Sequence, residues 1–281
     1  MSRDDVLITP SELRERLAEV RLLDVRWRLG EDPAAGRSRY ELAHLPGAGF
    51  LDLEAVLTRH TGDPRDGRHP LPDLGELAAA LGALGVDEHS EVVVYDEAGS
   101  FAAARAWWVL TWAGVRTRVL DGGYAAWRLA GQPVESGVVT MPAVSANLPG
   151  GGLTTVDANE AAWAGQDGGQ VLVDVRAPER YRGETEPLDP RAGHIPGAVN
   201  VPVAGLFDGD GSLPDDETLR ERFGEVLDGR RVVAYCGSGV SAAQAVLALR
   251  SLGIDAALFP GSWSAWSNEP DRPAATGPDP G

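Results

Sequence analysis

Cysteine occurs once in this 281-residue chain, at Cys236, and its neighbours are those of a nucleophile. It closes the apolar run Val232-Val233-Ala234-Tyr235 and opens Gly237-Ser238-Gly239-Val240-Ser241-Ala242. Behind that loop, Ala243-Gln244-Ala245-Val246-Leu247-Ala248-Leu249 contains no helix breaker. A thiol at a strand-to-helix turn faces several backbone N–H groups and the positive end of a helix dipole, a setting that favours the thiolate and holds a charged sulfur adduct. The alternative use of a lone cysteine is as a small buried hydrophobe. The two glycines point away from it, because a core position does not need a backbone that folds around its side chain. The candidate catalytic group is therefore Cys236 with Gly237, Ser238, Gly239, Val240 and Ser241, whose N–H groups and hydroxyls converge on the sulfur.

Two other chemistries share parts of this pattern. Gly237-Ser238-Gly239-Val240-Ser241-Ala242 fits a dinucleotide fingerprint, with Asp255 near the spacing of a ribose-binding acid. A strand follows Asp255 rather than preceding it, and too little chain remains for a dinucleotide domain. A cysteine phosphatase needs an arginine six residues after the thiol, where this chain has Ala242. Upstream, Arg180-Tyr181-Arg182-Gly183-Glu184 and Asp189-Pro190-Arg191 carry arginines, the side chain suited to grasp a carboxylate through two parallel hydrogen bonds.

The elements that must position these groups are written twice. Leu22-Leu23-Asp24-Val25-Arg26 answers Leu172-Val173-Asp174-Val175-Arg176, and His44-Leu45-Pro46-Gly47-Ala48 answers His194-Ile195-Pro196-Gly197-Ala198. Val92-Val93-Val94-Tyr95-Asp96 answers Val232-Val233-Ala234-Tyr235-Cys236, and Gly122-Gly123-Tyr124-Ala125-Ala126-Trp127 answers Gly261-Ser262-Trp263-Ser264-Ala265-Trp266. Four blocks in one order make each half a domain of roughly 130 residues. In the first half, strands are expected at 22–25, 92–95 and 118–120, with helices at 76–84, 102–112 and 124–130. Short apolar strands between helices predict an α/β fold, each half a parallel sheet covered by helices on both faces. The expected boundaries are a first domain over 1–139, a linker rich in Pro and Gly over 140–152, a second domain over 153–270 and a flexible tail over 271–281.

Asp24 and Asp174, like His44 and His194, occur in both halves and are read as structural. Asp96 stands where the second half has Cys236. A carboxylate is a poor substitute for a thiolate, and the following Glu97-Ala98-Gly99-Ser100-Phe101 offers a charge and a bulky ring instead of a cradle, so the first half is expected to be silent.

Composition narrows the function further. A net charge of −17, from 25 basic and 42 acidic residues, speaks against nucleic acid or anionic membrane as partner. One cysteine forms no internal disulfide, and the acidic start Met1-Ser2-Arg3-Asp4-Asp5 lacks the apolar stretch of a secretory signal, so the cytoplasm is the expected location. Five histidines without metal-ligand spacing predict no metal site, and no cofactor is expected.

The repeats, Cys236-Gly237-Ser238-Gly239-Val240-Ser241-Ala242, Gly193-His194-Ile195-Pro196-Gly197-Ala198 and the Gly-x-Trp-x-x-Trp ending at Trp266 together resemble the tandem-domain rhodanese sulfurtransferases. The resemblance spans about residues 6 to 270. It implies an inactive amino-terminal domain, a catalytic carboxy-terminal domain, a substrate site between them and a Cys236 persulfide. The loop looks more like that of 3-mercaptopyruvate sulfurtransferases than that of thiosulfate enzymes, which typically carry Arg and Lys at the positions of Gly237 and Ser238. Ser241 stands where the family usually has threonine. By the same resemblance, Arg180 and Arg191 fall where the substrate carboxylate and carbonyl are bound, and His69 and Glu54 match an acid–histidine pair near the nucleophile. The implied reaction moves sulfur from 3-mercaptopyruvate to cyanide, a small thiol or a thioredoxin-like protein. Thiosulfate:cyanide transfer and a non-enzymatic persulfide carrier or sensor are the alternatives.

Overall fold

The computed structural model describes residues 1–97, 99 and 101–281. Ala98 and Ser100, in the loop expected to differ from the Cys236 cradle, lie outside the described residues. The chain forms two compact units that trade short segments. The first comprises Met1–Arg59, Leu71–Leu153 and Phe207–Leu213; the second comprises His60–Pro70, Thr154–Leu206 and Pro214–Gly281.

In the first unit the elements run α1 (Arg3–Val6), β1 (Leu7–Ile8), α2 (Pro10–Arg16), β2 (Arg21–Asp24), α3 (Pro33–Leu42), β3 (Gly49–Phe50), α4 (Leu53–Val56), α5 (Leu74–Ala83), β4 (Glu91–Tyr95), α6 (Phe101–Trp112), β5 (Arg116–Leu120) and α7 (Gly123–Leu129). The five strands pair in the order β1-β5-β4-β2-β3, every pair parallel. The second unit follows with α8 (Ala158–Ala164), β6 (Gln170–Asp174), α9 (Pro178–Tyr181), β7 (Val199–Asn200), α10 (Asp216–Phe223), β8 (Arg231–Tyr235), α11 (Ser241–Ser251), β9 (Ala256–Leu258) and α12 (Ser262–Ser267). Its sheet runs β7-β6-β8-β9, again parallel throughout. The expected α/β class with two helix-flanked parallel sheets is what the chain adopts.

Burial explains the elements. β4 and β8 are buried along all but their first residue, as strands covered on both faces must be. α6 and α11 are apolar nearly all round and buried along almost their whole length, which marks central rather than surface helices. Each unit has its own core, built around Ile8, Leu13, Val93, Tyr95 and Trp127 in one and Leu172, Val233, Tyr235, Trp263 and Trp266 in the other.

The residues shared by both halves do the same work in each. Asp24 is ion-paired with Arg26 at 2.7 Å, and Asp174 with Arg176 at 2.6 Å, all four buried. His44 and His194 set Nδ1 on the carbonyls of Tyr40 and Tyr181 at 2.7 and 2.8 Å.

The expected domain boundaries need three corrections. Residues 60–70 pack with the second unit and 207–213 with the first. Residues 140–152 are no free linker: the amides of Val144, Gly150 and Gly152 donate to the carbonyls of Gly82, Ala113 and Trp112. The tail over 271–281 is not loose. Ala275 exchanges two backbone hydrogen bonds with His194, Gly277 N–H donates to Arg182, Gly197 N–H donates to Pro280, and the Trp266 indole donates to Pro273. The first half does the same with Glu135 on His44, Gly137 on Glu41 and Trp127 on Pro133. The tail is thus the second copy of a clasp already present in the first repeat.

Candidate active site

β8 lies inside its sheet between β6 and β9, and Cys236 follows its last residue. In an open parallel sheet, the carboxyl ends of central strands are where ligands bind. The thiol is 1% exposed. Gly239 N–H donates to its Sγ at 3.1 Å, a donor that stabilises negative charge on sulfur. That aim requires Gly239 to adopt φ +78°, open to glycine at little cost. Val240 occupies the N-cap position of α11 and Ser241 opens the helix.

The loop is held from below by α12. The amides of Trp263 and Ser264 donate to the carbonyls of Cys236 and Gly237 at 2.9 and 2.8 Å. Ser262 Oγ accepts from Cys236 N–H at 3.1 Å, donates to Phe259 O at 2.9 Å and lies 4.0 Å from Sγ. Ser262 does this at φ +53°, where it is alone among the described non-glycine residues. Sequence reasoning missed it, although the repeat carries the signal: its counterpart is Gly123, at φ +60°, so a serine here keeps a conformation that glycine adopts more cheaply.

Three further side chains reach the loop. His69 is buried, with Nδ1 2.7 Å from Ser238 Oγ. Arg180, in α9, donates through Nε and Nη2 to Glu186 at 3.2 and 2.6 Å, and through Nη2 to Asp189 at 3.3 Å. Arg68, which sequence reasoning passed over, pairs through Nη1 with the same Asp189 and donates its backbone N–H to Ser264 Oγ at 3.1 Å. Burial raises the Asp189 carboxyl above the usual carboxylate range, against the pull of Arg68. A Cβ placed on Gly237 would meet Arg68 Nη2 at 3.0 Å and Arg180 Nη1 at 3.3 Å. The loop has no cation of its own, and two guanidinium groups stand against it from other segments.

Arg191 is engaged elsewhere. Arg191 donates through Nε to Ser267 O at 3.0 Å, through Nη1 to Arg272 O at 2.8 Å, and through Nη2 to Trp266 O and Glu269 O at 2.9 Å each. Its guanidinium caps the C-terminal end of α12, where backbone carbonyls lack helical partners. Glu54 lies in α4 and is half-buried. In the first unit, Asp96 occupies the counterpart of Cys236; its Oδ2 accepts from the amides of Ala102 and Ala103 at 2.8 and 3.1 Å.

Comparison with known proteins agrees with this picture. Both halves match the family described as rhodanese-like domain, over residues 9–130 and 158–269. A Mycobacterium tuberculosis protein named as a thiosulfate sulfurtransferase is 45% identical over 287 residues, covering 98% of this chain and 99% of that one. A Pseudomonas aeruginosa protein named as a 3-mercaptopyruvate sulfurtransferase is 45% identical over 280 residues, covering 96% and 98%. The crystal structure of a 3-mercaptopyruvate sulfotransferase from Escherichia coli superposes with a TM-score of 0.82 at 33% identity, covering 92% of this chain and 98% of that one. No helix among the described residues is long and apolar enough to cross a membrane.

Proposed function

The chain belongs to the rhodanese family in both of its halves and is a sulfurtransferase; we propose that Cys236 takes sulfur from 3-mercaptopyruvate and passes it to a thiophilic acceptor. The observation that carries this reading is the Gly239 N–H aimed at Sγ at 3.1 Å, in a loop whose Gly237 faces guanidinium groups. The thiolate attacks the donor sulfur, the carbon–sulfur bond breaks, and its electron pair leaves on pyruvate as the enolate. The proton from the donor thiol completes pyruvate, and Cys–S–S⁻ remains in the loop. The acceptor then attacks the outer sulfur, the S–S bond breaks, and the thiolate returns. Splitting the exchange in this way predicts ping-pong kinetics. His69 and Ser238, 2.7 Å apart, are placed to move the proton.

Relatives named for the two donors are equally identical to this chain, so the site must decide between them. Arg68 and Arg180 are balanced by Glu186 and Asp189, and Gly237 and Ser238 carry no charge. A dianion such as thiosulfate gains little from a neutral cluster, whereas the single carboxylate of mercaptopyruvate, away from its sulfur, needs only one charge-assisted clamp. The presence of two guanidinium groups beside Gly237 is what favours thiosulfate as the second reading. Steady-state kinetics decide it: kcat/KM for 3-mercaptopyruvate is expected to exceed that for thiosulfate at least tenfold, a difference of about 1.4 kcal/mol. Equal or better use of thiosulfate overturns the donor assignment.

The acceptor we favour is cyanide, a small thiol or a thioredoxin-like protein, and a chain with a single thiol and no disulfide suits the reducing cytoplasm. A persulfide carrier would load once and stop; continuous turnover with free donor and acceptor separates the two. Intact mass should show one added sulfur on the wild type and none on Cys236→Ser, whose alcohol forms no persulfide.

A further inference from the structure

The start of α12 makes the same backbone contacts as its counterpart in the first half, α7, and differs in one side chain. The amides of Trp263 and Ser264 donate to the carbonyls of Cys236 and Gly237 at 2.9 and 2.8 Å. Their counterparts, Tyr124 and Ala125, donate to Asp96 and Glu97 at 2.7 and 3.0 Å. Where the first half has the methyl of Ala125, the half with the thiol has the buried hydroxyl of Ser264. That hydroxyl is bonded on both sides: Ser264 Oγ donates to Gly261 O at 3.0 Å and accepts the backbone N–H of Arg68 at 3.1 Å. Arg68 lies in the segment His60–Pro70 of the second unit, and His69 follows it. The approach is close. A Cβ on Gly67, at φ +87°, would stand 2.8 Å from Gly261 O and 3.0 Å from Ser264 Oγ. On the other side of His69, Pro70 confines the histidine backbone to extended conformations. One peptide plane and few soft torsions therefore separate the anchored Arg68 N–H from the His69 imidazole, whose Nδ1 lies 2.7 Å from Ser238 Oγ.

We propose that Ser264 is a positioning residue for proton transfer: by holding the Arg68 N–H it sets the His69 imidazole against Ser238. This rests on His69 and Ser238 moving the proton in the reaction at Cys236. The two halves of Ser264 act separately, its side chain on the His69 segment and its backbone N–H on the Cys236 loop. Removing the hydroxyl takes away the first contact and leaves the second. Ala125 supports the same backbone contact in the first half, so Ser264→Ala keeps the turn. An imidazole displaced by about an ångström from its proton partner loses up to about a hundredfold in rate.

Two readouts test this, one of them independent of sulfur transfer. Diethyl pyrocarbonate acylates accessible histidines, and His69 is buried. Peptide mass is expected to show His69 modified at least tenfold faster in Ser264→Ala than in wild type. Iodoacetamide should still alkylate Cys236 within twofold of the wild-type rate. In single-turnover loading from 3-mercaptopyruvate, the maximal rate of Ser264→Ala should fall at least tenfold. The half-saturating donor concentration should stay within twofold. In a His69→Gln background the same substitution should cost less than twofold, because the group it positions is gone. Unchanged acylation of His69 overturns the proposal. So does an equal loss of loading in both backgrounds, or a parallel loss of alkylation, either of which would place the effect of Ser264 in the Cys236 loop. If His69 is freed in Ser264→Ala and His69→Gln nevertheless loads at the wild-type rate, the positioning of His69 stands and its role as proton carrier falls instead.

Discussion

Ser262 holds Cys236 by its backbone: the hydroxyl accepts the cysteine N–H at 3.1 Å from a residue whose own φ is +53°. A side chain in the left-handed region costs about 1–2 kcal/mol relative to glycine, and such strain concentrates where function over-determines the conformation. Two substitutions separate strain from hydroxyl. Ser262→Ala keeps the strain and leaves the buried Cys236 N–H without an acceptor, a loss of about 1–3 kcal/mol. Ser262→Gly loses the same hydrogen bond and relieves the strain, so its melting temperature should fall less than that of the alanine variant. Both should slow sulfur loading of Cys236 by a similar factor, since both free the nucleophile's backbone. A glycine variant that loads sulfur at the wild-type rate would show that the hydroxyl has no part in positioning the thiol.

Arg191→Ala should behave as a stability variant. Four carbonyls of α12 and the chain beyond it lose a charged donor, which costs about 2–3 kcal/mol and lowers the melting temperature by several degrees. The KM for 3-mercaptopyruvate should stay within twofold of wild type. A tenfold rise in KM with unchanged stability would return Arg191 to the substrate site.

The fold was legible because its strands are apolar runs and because the unit repeats. The strand expected at 92–95 is observed over 91–95, and the helix expected at 102–112 over 101–112. The placement of Cys236 was legible too, at the turn from a buried strand through a glycine loop to a helix. Arg68 was not. Its place beside Gly237 arises from residues 60–70 packing with the other half's unit, an exchange with no local pattern to announce it. Arg191 was expected at the substrate by resemblance, and its hydrogen bonds to a helix terminus leave no sequence mark. The tail was misread from composition alone, although the repeat held the answer. Trp127 and Pro133 in the first half foreshadow Trp266 and Pro273 in the second, and a Pro- and Gly-rich segment that satisfies backbone groups of a buried histidine is ordered whatever its composition.

Asp96 gives the last prediction, and it concerns pH. Its carboxyl is 4% exposed, Oδ2 takes two amides of α6, and Oδ1 has no partner among the described residues. Burial, with the nearby charges of Asp24 and Glu97 adding to it against the two amides, pushes it up to about 7. In the unfolded chain the same group releases its proton near the ordinary aspartate value of 3.8. Below that pH both states hold the proton, and the folded state keeps its full contribution. Between about 4 and 7 the unfolded chain has lost the proton while the folded chain retains it, so stability falls as pH rises, and the loss is complete above 7. At about 1.4 kcal/mol per unit the total is on the order of 4 kcal/mol. Asp96→Asn keeps an oxygen for the two amides and removes the ionisation. The variant should therefore melt higher than wild type at pH 8, and the difference should shrink steadily towards pH 4. Melting curves of both proteins across that range decide the matter. A difference that does not change with pH would place the Asp96 titration outside this window, and a wild type that melts higher at pH 8 would mean that the ionised carboxylate is stabilised by the helix amides more than burial disfavours it.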